Sequence, residues 1–241
     1  MKIIDAFWEK RNLGIDTMEF EIESGDTLEN IQQTISANEK QYNVVKVESG
    51  NFNIKNTLYK MGYIQAESMF KLVYNSKISS VTPAVKNIAD RITYEPMNDD
   101  DIEKMFKEIE RGMFTTDRIA LDPHFSVKIA NKRYINWIKD EIEKGACLLK
   151  GIYENDVFAF SIYKKLKNNT IFSFLGGTYL DYQSFGLAIP ATYKNTRTIA
   201  SLERGKLISY VSSNNYNSLV CDIAAGYIIK GVADVYIKHN K

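Results

Sequence analysis

The sequence repeats itself once, and that repeat constrains the fold more than any other feature. YNVVKVESGNFNIKNTLYKMGY at 42–63 and LISYVSSNNYNSLVCDIAAGY at 207–227 each read as a strand, an asparagine-containing turn, a short helix, and a Gly-Tyr pair entering a second strand. Gly62 and Gly226 are the left-handed stops that commonly end such helices. Superposing Gly62-Tyr63 on Gly226-Tyr227 puts Asn51 on Asn215. Two readings fit: two ordinary strand–helix–strand units, or an N-terminal part that is a shortened copy of the C-terminal half-fold. Either gives an α/β architecture, and no solenoid period is present. A chain of 241 residues allows one large or two small domains. The polar, irregular stretch near 76–90, around Pro83, reads as a linker between a domain at 1–80 and a larger one at 91–241.

Periodicity supplies the remaining elements. Leu28, Ile31 and Ile35 recur at helical spacing within 26–41, behind a capping-box-like Asp26 and Glu29. A strand is expected at 42–48, a helix at 53–61 and a long strand or strand pair at 63–74. In the second part a strand at 92–95 precedes a helix from Asp99 to Glu110, entered through the acidic run NDDD. Ile129, Tyr134, Trp137, Ile138 and Ile142 form one side of a helix at 127–144. Strands at 146–153, 157–167 and 170–178 are joined by the turn pairs Asn155-Asp156 and Asn168-Asn169, so they are expected as antiparallel neighbours. A helix at 186–204, a strand at 206–212, a helix at 215–225 and a strand at 227–238 complete the order.

Composition narrows the function classes. Thirty-one Lys and Arg against 30 Asp and Glu give a net charge of +1, so no surface-wide polyanion site is expected, and nucleic acid is not an expected partner. Cys147 and Cys221 lie far apart in apolar contexts and form no metal or redox motif; a reducing cytoplasm is the simplest compartment. MKIIDAFWEK reaches charge too soon for a signal peptide, and no run approaches the ~18 apolar residues of a membrane span. The chain is expected to be a soluble protein with no membrane partner.

The local signal nearest to chemistry is Gln183-Ser184-Phe185-Gly186-Leu187-Ala188, directly after a strand and opening a helix. Small residues at such a junction expose backbone N–H groups at the positive helix end, which holds a pyrophosphate without lysines. A plain glycine turn would read the same way. Pro190 falls in the first helical turn, where its missing N–H costs no helical bond. Tyr193, Lys194 and Arg197 either reach phosphates or form a solvated face.

The order Gly186, helix, strand, Asn215, Ser218, Gly226-Tyr227 resembles the GCN5-related N-acetyltransferase (GNAT) superfamily, with its Q/R-x-x-G-x-G/A turn and its later N-x-x-small segment ending in Gly-Phe or Gly-Tyr. A closer resemblance, to TDP-fucosamine acetyltransferase-type enzymes, rests on Trp8-Glu9 with Asn12 and Gly14, LYKMGY, RYINWI at 133–138, and the ungapped stretch from Gly186 through Asn215. It implies a GNAT acyl-CoA N-acyltransferase fold, a mixed, largely antiparallel central sheet flanked by helices, with a smaller truncated GNAT-like N-terminal domain. It also implies acetyl-CoA as donor, with no metal. The acceptor would be the amine of a nucleotide-linked sugar, of dTDP type, in bacterial polysaccharide or lipopolysaccharide biosynthesis, and the protein a possible homodimer.

The resemblance assigns roles by position. Backbone groups of Gly176, Gly177 and Thr178 would hold pantetheine and polarise the acetyl carbonyl, although Gly176-Gly177 also reads as a β-bulge. Asn215 would contact the cofactor and equally serves as a helix N-cap; Ser218 would let the cofactor arm pass. The family's acid, usually tyrosine, falls on Asp222. An exposed aspartate, with a pKa near ~4, is ionised at neutral pH, whereas burial raises it. Three outcomes stay open: Asp222 donates the proton, water or another tyrosine does, or positioning alone suffices. Tyr216 and Cys221 share the helix but point elsewhere. His124 in LDPHF is the candidate base or a turn residue, and His239 is expected in solvent. Thr115, Thr116, Asp117 and Arg118 are candidates for a nucleotide diphosphate, or surface charges of a loop. Rival readings are transfer to another small amine or a protein amine, and a catalytically silent acyl-CoA-fold module.

Overall fold

The computed structural model describes residues 1–78 and 81–240. The first 25 residues, for which periodicity gives no assignment, form β1 (Lys2–Asp5), α1 (Trp8–Leu13) and β2 (Thr17–Glu21). Then come α2 (Leu28–Asn38), β3 (Tyr42–Glu48), α3 (Phe52–Lys60) and β4 (Ile64–Tyr74). The expected linker folds in part: Thr82 caps α4 (Pro83–Asp90), with Pro83 at the position where a missing N–H is harmless. Ser79 and Ser80 of that stretch lie outside the described residues.

The C-terminal part runs β5 (Ile92–Pro96), α5 (Asp99–Glu110), α6 (Arg118–Leu121), α7 (Val127–Glu143), β6 (Cys147–Tyr153), β7 (Asp156–Leu166), β8 (Thr170–Thr178), α8 (Ala188–Leu202), β9 (Lys206–Ser212), α9 (Tyr216–Ala225) and β10 (Tyr227–His239). The capping box of α5 pairs Asn98 with Asp101 rather than relying on charge alone. The two hairpins form as expected. Asn168 and Asn169 adopt positive φ, but the β6–β7 turn is centred on Glu154-Asn155, one residue earlier than the Asn155-Asp156 expectation. Helix α8 begins at Ala188, two residues after the expected Gly186, because a short 3-10 turn over Leu180–Phe185 ends at left-handed Gly186.

All ten strands join one mixed, mostly antiparallel sheet in the order β1-β2-β3-β10-β4-β9-β8-β7-β6-β5. The parallel pairs are β2 with β3 and β8 with β9. The internal repeat holds in its bounds: at an offset of 164 positions β3 coincides with β9, and α3 and β4 fall on α9 and β10 to within one residue at each end. Even the irregularities match, since Ala66 and Lys230, the same distance apart, are the bulged residues of the β4–β10 ladder.

The two parts exchange their last strands. β4 of the N-terminal part lies between β9 and β10, and β10 of the C-terminal part lies between β3 and β4. Helices α2 and α3 cover Phe20, Val45 and Tyr236 on one face, while α6 and α7 pack on Val44, Val235 and Ile237 on the other. The boundary anticipated near 76–90 thus falls between β4 and β5 of a single continuous sheet.

Candidate functional site

The parallel pair β8–β9 comes apart. Only Thr170–Phe172 pair with Lys206–Ile208, although β8 runs on to Thr178 and β9 to Ser212. From Ser173 onward β8 keeps its ladder to β7 on one edge and, among the described residues, has no strand partner on the other. Backbone N–H and C=O groups demand partners, so a parted edge of this kind is suited to an extended polar ligand. Just past the point of parting, Phe174 is an extra residue between Ile162 and Tyr163 of β7. The bulge therefore sits at Phe174, not at Gly176-Gly177. Those glycines answer to close neighbours: a Cβ on Gly176 would meet the Phe160 carbonyl at 2.9 Å, and one on Gly177 the Met113 methyl at 2.7 Å. Thr178 ends the strand beside them.

The chain leaves β8 through Tyr179, whose amide bonds the Phe158 carbonyl at 2.7 Å. Buried Glu108 of α5 accepts from the Leu180 amide at 3.2 Å, and Arg111 bridges Glu108 to Asp181. Leu187 is the anchor of the following loop, buried against Ile92, Phe158 and Ala191. Around it Gln183, Ser184, Phe185, Gly186 and Ala188 are exposed. Gly186 holds φ +70° with open space where a Cβ would be, so its backbone conformation, rather than a crowded neighbour, calls for glycine. Leu187 occupies the N-cap of α8 and has no side-chain acceptor to offer. Six other helices, α2, α4, α5, α6, α7 and α9, carry a side-chain cap. The N–H groups at the start of α8 point outward at the positive end of a 15-residue helix, which favours an anion there.

On α9, Asn215 is the N-cap, its Oδ1 accepting from the Ser218 amide at 3.2 Å. Asn215, Ser218 and Asp222 stand at i, i+3 and i+7 and share one helix face. Asp222 is half-buried, has no charged partner among the described residues, and loss of water pushes its carboxyl up to about 7. Burial likewise pushes the neighbouring Cys221 thiol up to about 11. Tyr216 is 69% exposed at the start of the helix. Arg197 of α8 stacks over Tyr193 and bonds the Ala225 carbonyl at 3.4 Å, so it serves the C-terminus of α9.

Other expected residues lie on and around α6. Asp117 caps α6 by accepting from the amides of Ile119 and Ala120. Arg118 lies inward between Glu19 and Glu67, at 3.5 and 3.6 Å. Burial pushes Glu19 up, yet Arg118 and Lys46 outweigh it and hold the carboxyl low. Beside them Arg133 grips buried Glu9 with its Nε and Nη2. This internal ion-pair layer ties α6 and α7 to the N-terminal part, and of the expected substrate residues Thr115 is exposed while Asp117 and Arg118 are half-buried. The inward turn of Arg118 was not legible because its partners are 99 and 51 positions away in sequence.

His124 binds Asp122 and stacks on His239; His239 is therefore packed rather than free in solvent. His239 lies six residues beyond Ala233, whose partner Met69 meets Ser212 at the end of β9. At ~3.3 Å per residue that is roughly 20 Å along the sheet. The structure thus brings together the β8 edge, the loop 183–188 and the Asn215–Ser218–Asp222 face, and sets His124 apart from them; Arg118 pairs with Glu67, two residues along β4 from the Met69 that meets Ser212.

No protein-family model and no curated protein matches the sequence. Solved structures do match. A functionally unknown conserved protein from Staphylococcus epidermidis aligns over 94% of this chain and 85% of its own, at 13% identity and a TM-score of 0.60. A GCN5-related N-acetyltransferase from Kribbella flavida aligns over 94% of this chain and 82% of its own, at 12% identity and a TM-score of 0.56. A tandem GNAT protein from the clavulanic acid biosynthesis pathway aligns over 92% and 75%, at 8% identity and a TM-score of 0.54. The parted strands, the uncapped helix and the repeated half-fold agree with these likenesses: the chain has the α/β fold of the GCN5-related N-acetyltransferases.

Proposed function

We propose that the protein is an acetyl-CoA-dependent N-acetyltransferase that acts on the amine of a nucleotide-linked amino sugar, of dTDP type, in bacterial polysaccharide biosynthesis, by direct transfer in a ternary complex. The parting of β8 from β9 ahead of the uncapped α8 carries the acyl-CoA part of this reading. The acceptor rests on the sequence resemblance alone.

Bound acetyl-CoA supplies an activated acetyl thioester. The unpaired β8 edge, with Gly176, Gly177 and Thr178, offers backbone groups to an extended amide-bearing arm. The amides of Gly186, Leu187 and Ala188 hold the pyrophosphate, with Gln183, Ser184 and Phe185 around it. Asn215 and Ser218 border the arm. A carboxyl at about 7 keeps its proton in a good share of molecules at neutral pH, which suits Asp222 to protonate a departing thiolate. The amine of the acceptor loses its proton to water, since both histidines are engaged roughly 20 Å away.

A second reading, a silent acyl-CoA-binding module, is favoured by one observation: an aspartate stands at 222 where the family carries tyrosine. Measuring CoA binding and thiol release from acetyl-CoA with dTDP-amino sugars separates the two. Binding with turnover supports the enzyme. Binding without turnover on any amine supports the module, and absence of CoA binding overturns both. If Asp222 is the acid, Asp222→Asn lowers the rate at least tenfold and removes a decline above about pH 7; an unchanged profile excludes it.

A further inference from the structure

The chain contains two histidines, 115 positions apart in sequence, and the fold brings both onto one carboxylate. Asp122 is buried, with its backbone held in the turn before α7, and its Oδ1 accepts from the His124 amide at 3.0 Å. That same oxygen lies 2.9 Å from His124 Nδ1, while Oδ2 lies 2.7 Å from His239 Nε2. The two imidazoles stack 3.8 Å apart at 17°, and each turns one ring nitrogen to a different oxygen of Asp122. All three potential ligand atoms lie within 4.8 Å of one another. The site opens to solvent, because the His124 side chain is 61% exposed. It adjoins a hollow of about 480 Å³ lined by Leu13, Phe125 and Ile129.

We propose that Asp122, His124 and His239 form a zinc site, with a fourth position left to water. Two imidazoles and one carboxylate are a donor set that holds zinc with an open fourth position, whereas magnesium prefers all-oxygen ligands. A tetrahedral zinc with bonds near ~2.0–2.1 Å keeps its ligand atoms roughly 3.3 Å apart. Two stacked rings cannot both hold one ion in their planes, so the ion would take His239 and Asp122 where they stand and exposed His124 would swing out of the stack to meet it. Each ring turns a nitrogen toward Asp122 and has a second one free to carry the proton, as a metal-bound imidazole requires. The ion would join β10, the last strand, to the α6–α7 turn that precedes it by more than a hundred residues. The site is distinct from the parted strands and owes nothing to acyl transfer.

The test uses the full chain without a histidine tag, titrated with zinc chloride and, as control, magnesium chloride. Zinc is expected to bind one per chain and to raise Tm by about 5–10 °C at a hundredfold excess over Kd, with no shift from magnesium. Cobalt in place of zinc should give the visible absorption of a low-coordinate nitrogen and oxygen site. His124→Gln, at an exposed position, and His239→Gln should each weaken zinc binding at least tenfold while the metal-free proteins keep the wild-type helix and sheet signals. Failure of wild-type protein to bind zinc overturns the proposal. So does undiminished binding by the variant carrying both His124→Gln and His239→Gln, which would place the ion elsewhere.

Discussion

The two halves of the molecule share one plan and put it to opposite uses. In the N-terminal half the parallel pair β2–β3 is hydrogen-bonded along all of Thr17–Glu21; in the C-terminal half β8–β9 stops after three positions. Helix α2 is closed by Thr27, whose hydroxyl accepts from the Asn30 amide at 3.2 Å, while α8 starts uncapped. Where α9 carries Ser218 and Asp222, the matching residues of α3 are buried Ile54 and Leu58. The C-terminal half withholds what the other half supplies: strand pairing, a cap, and two aliphatic side chains.

The widest contrast concerns positions 58 and 222. Leu58 is fully buried, so Leu58→Ala should cost about 2–5 kcal/mol in a denaturation measurement. Asp222→Asn should do the opposite above neutrality. The folded pKa of Asp222, about 7, exceeds its unfolded value near 3.8, so the folded state holds the proton more tightly. That contribution to stability is complete below the unfolded value and is lost as pH rises toward 7. The asparagine variant avoids the loss and should gain at most about 4 kcal/mol over wild type by pH 8, with no gain at pH 4. A pH-independent difference would break the comparison.

A narrower contrast follows from copying the closed half into the open one. Ser218→Ile installs the side chain found at Ile54 and should weaken CoA binding about 10–100-fold, the equivalent of overpacking by roughly 1–3 kcal/mol. Equal affinity would place the donor elsewhere. The smallest effect concerns the caps. Thr27→Ala should cost about 1 kcal/mol of stability and leave CoA binding untouched. Gly186→Val should instead raise the KM for the donor, since it forces a branched residue into φ +70° at the exposed loop.

Much of this was legible in sequence, and for a physical reason. The repeat shows because α3 and α9 end on glycines at φ +86° and +110° and begin beside asparagines, signals that are local to the chain. The turn 183–188 and the hairpin asparagines are local in the same way. What escaped depends on distant partners: the inward ion pairs of Arg118, the meeting of His124 with His239, and the bulge at Phe174, set by β7. Residues 1–25 escaped as well, because β1 and β2 mix exposed apolar residues such as Ile3 with a buried charge, Glu19, and so show no clean alternation.

The exchange of β4 and β10 bears on how the molecule comes into being. Until Tyr227–His239 has left the ribosome, β3 and β4 have no strand between them, and the N-terminal half waits with two open edges for a segment almost two hundred residues downstream. Closure of so long a loop makes folding slow and defers it to the end of synthesis. It also makes unfolding collective, since neither half can open without stripping a strand from the other.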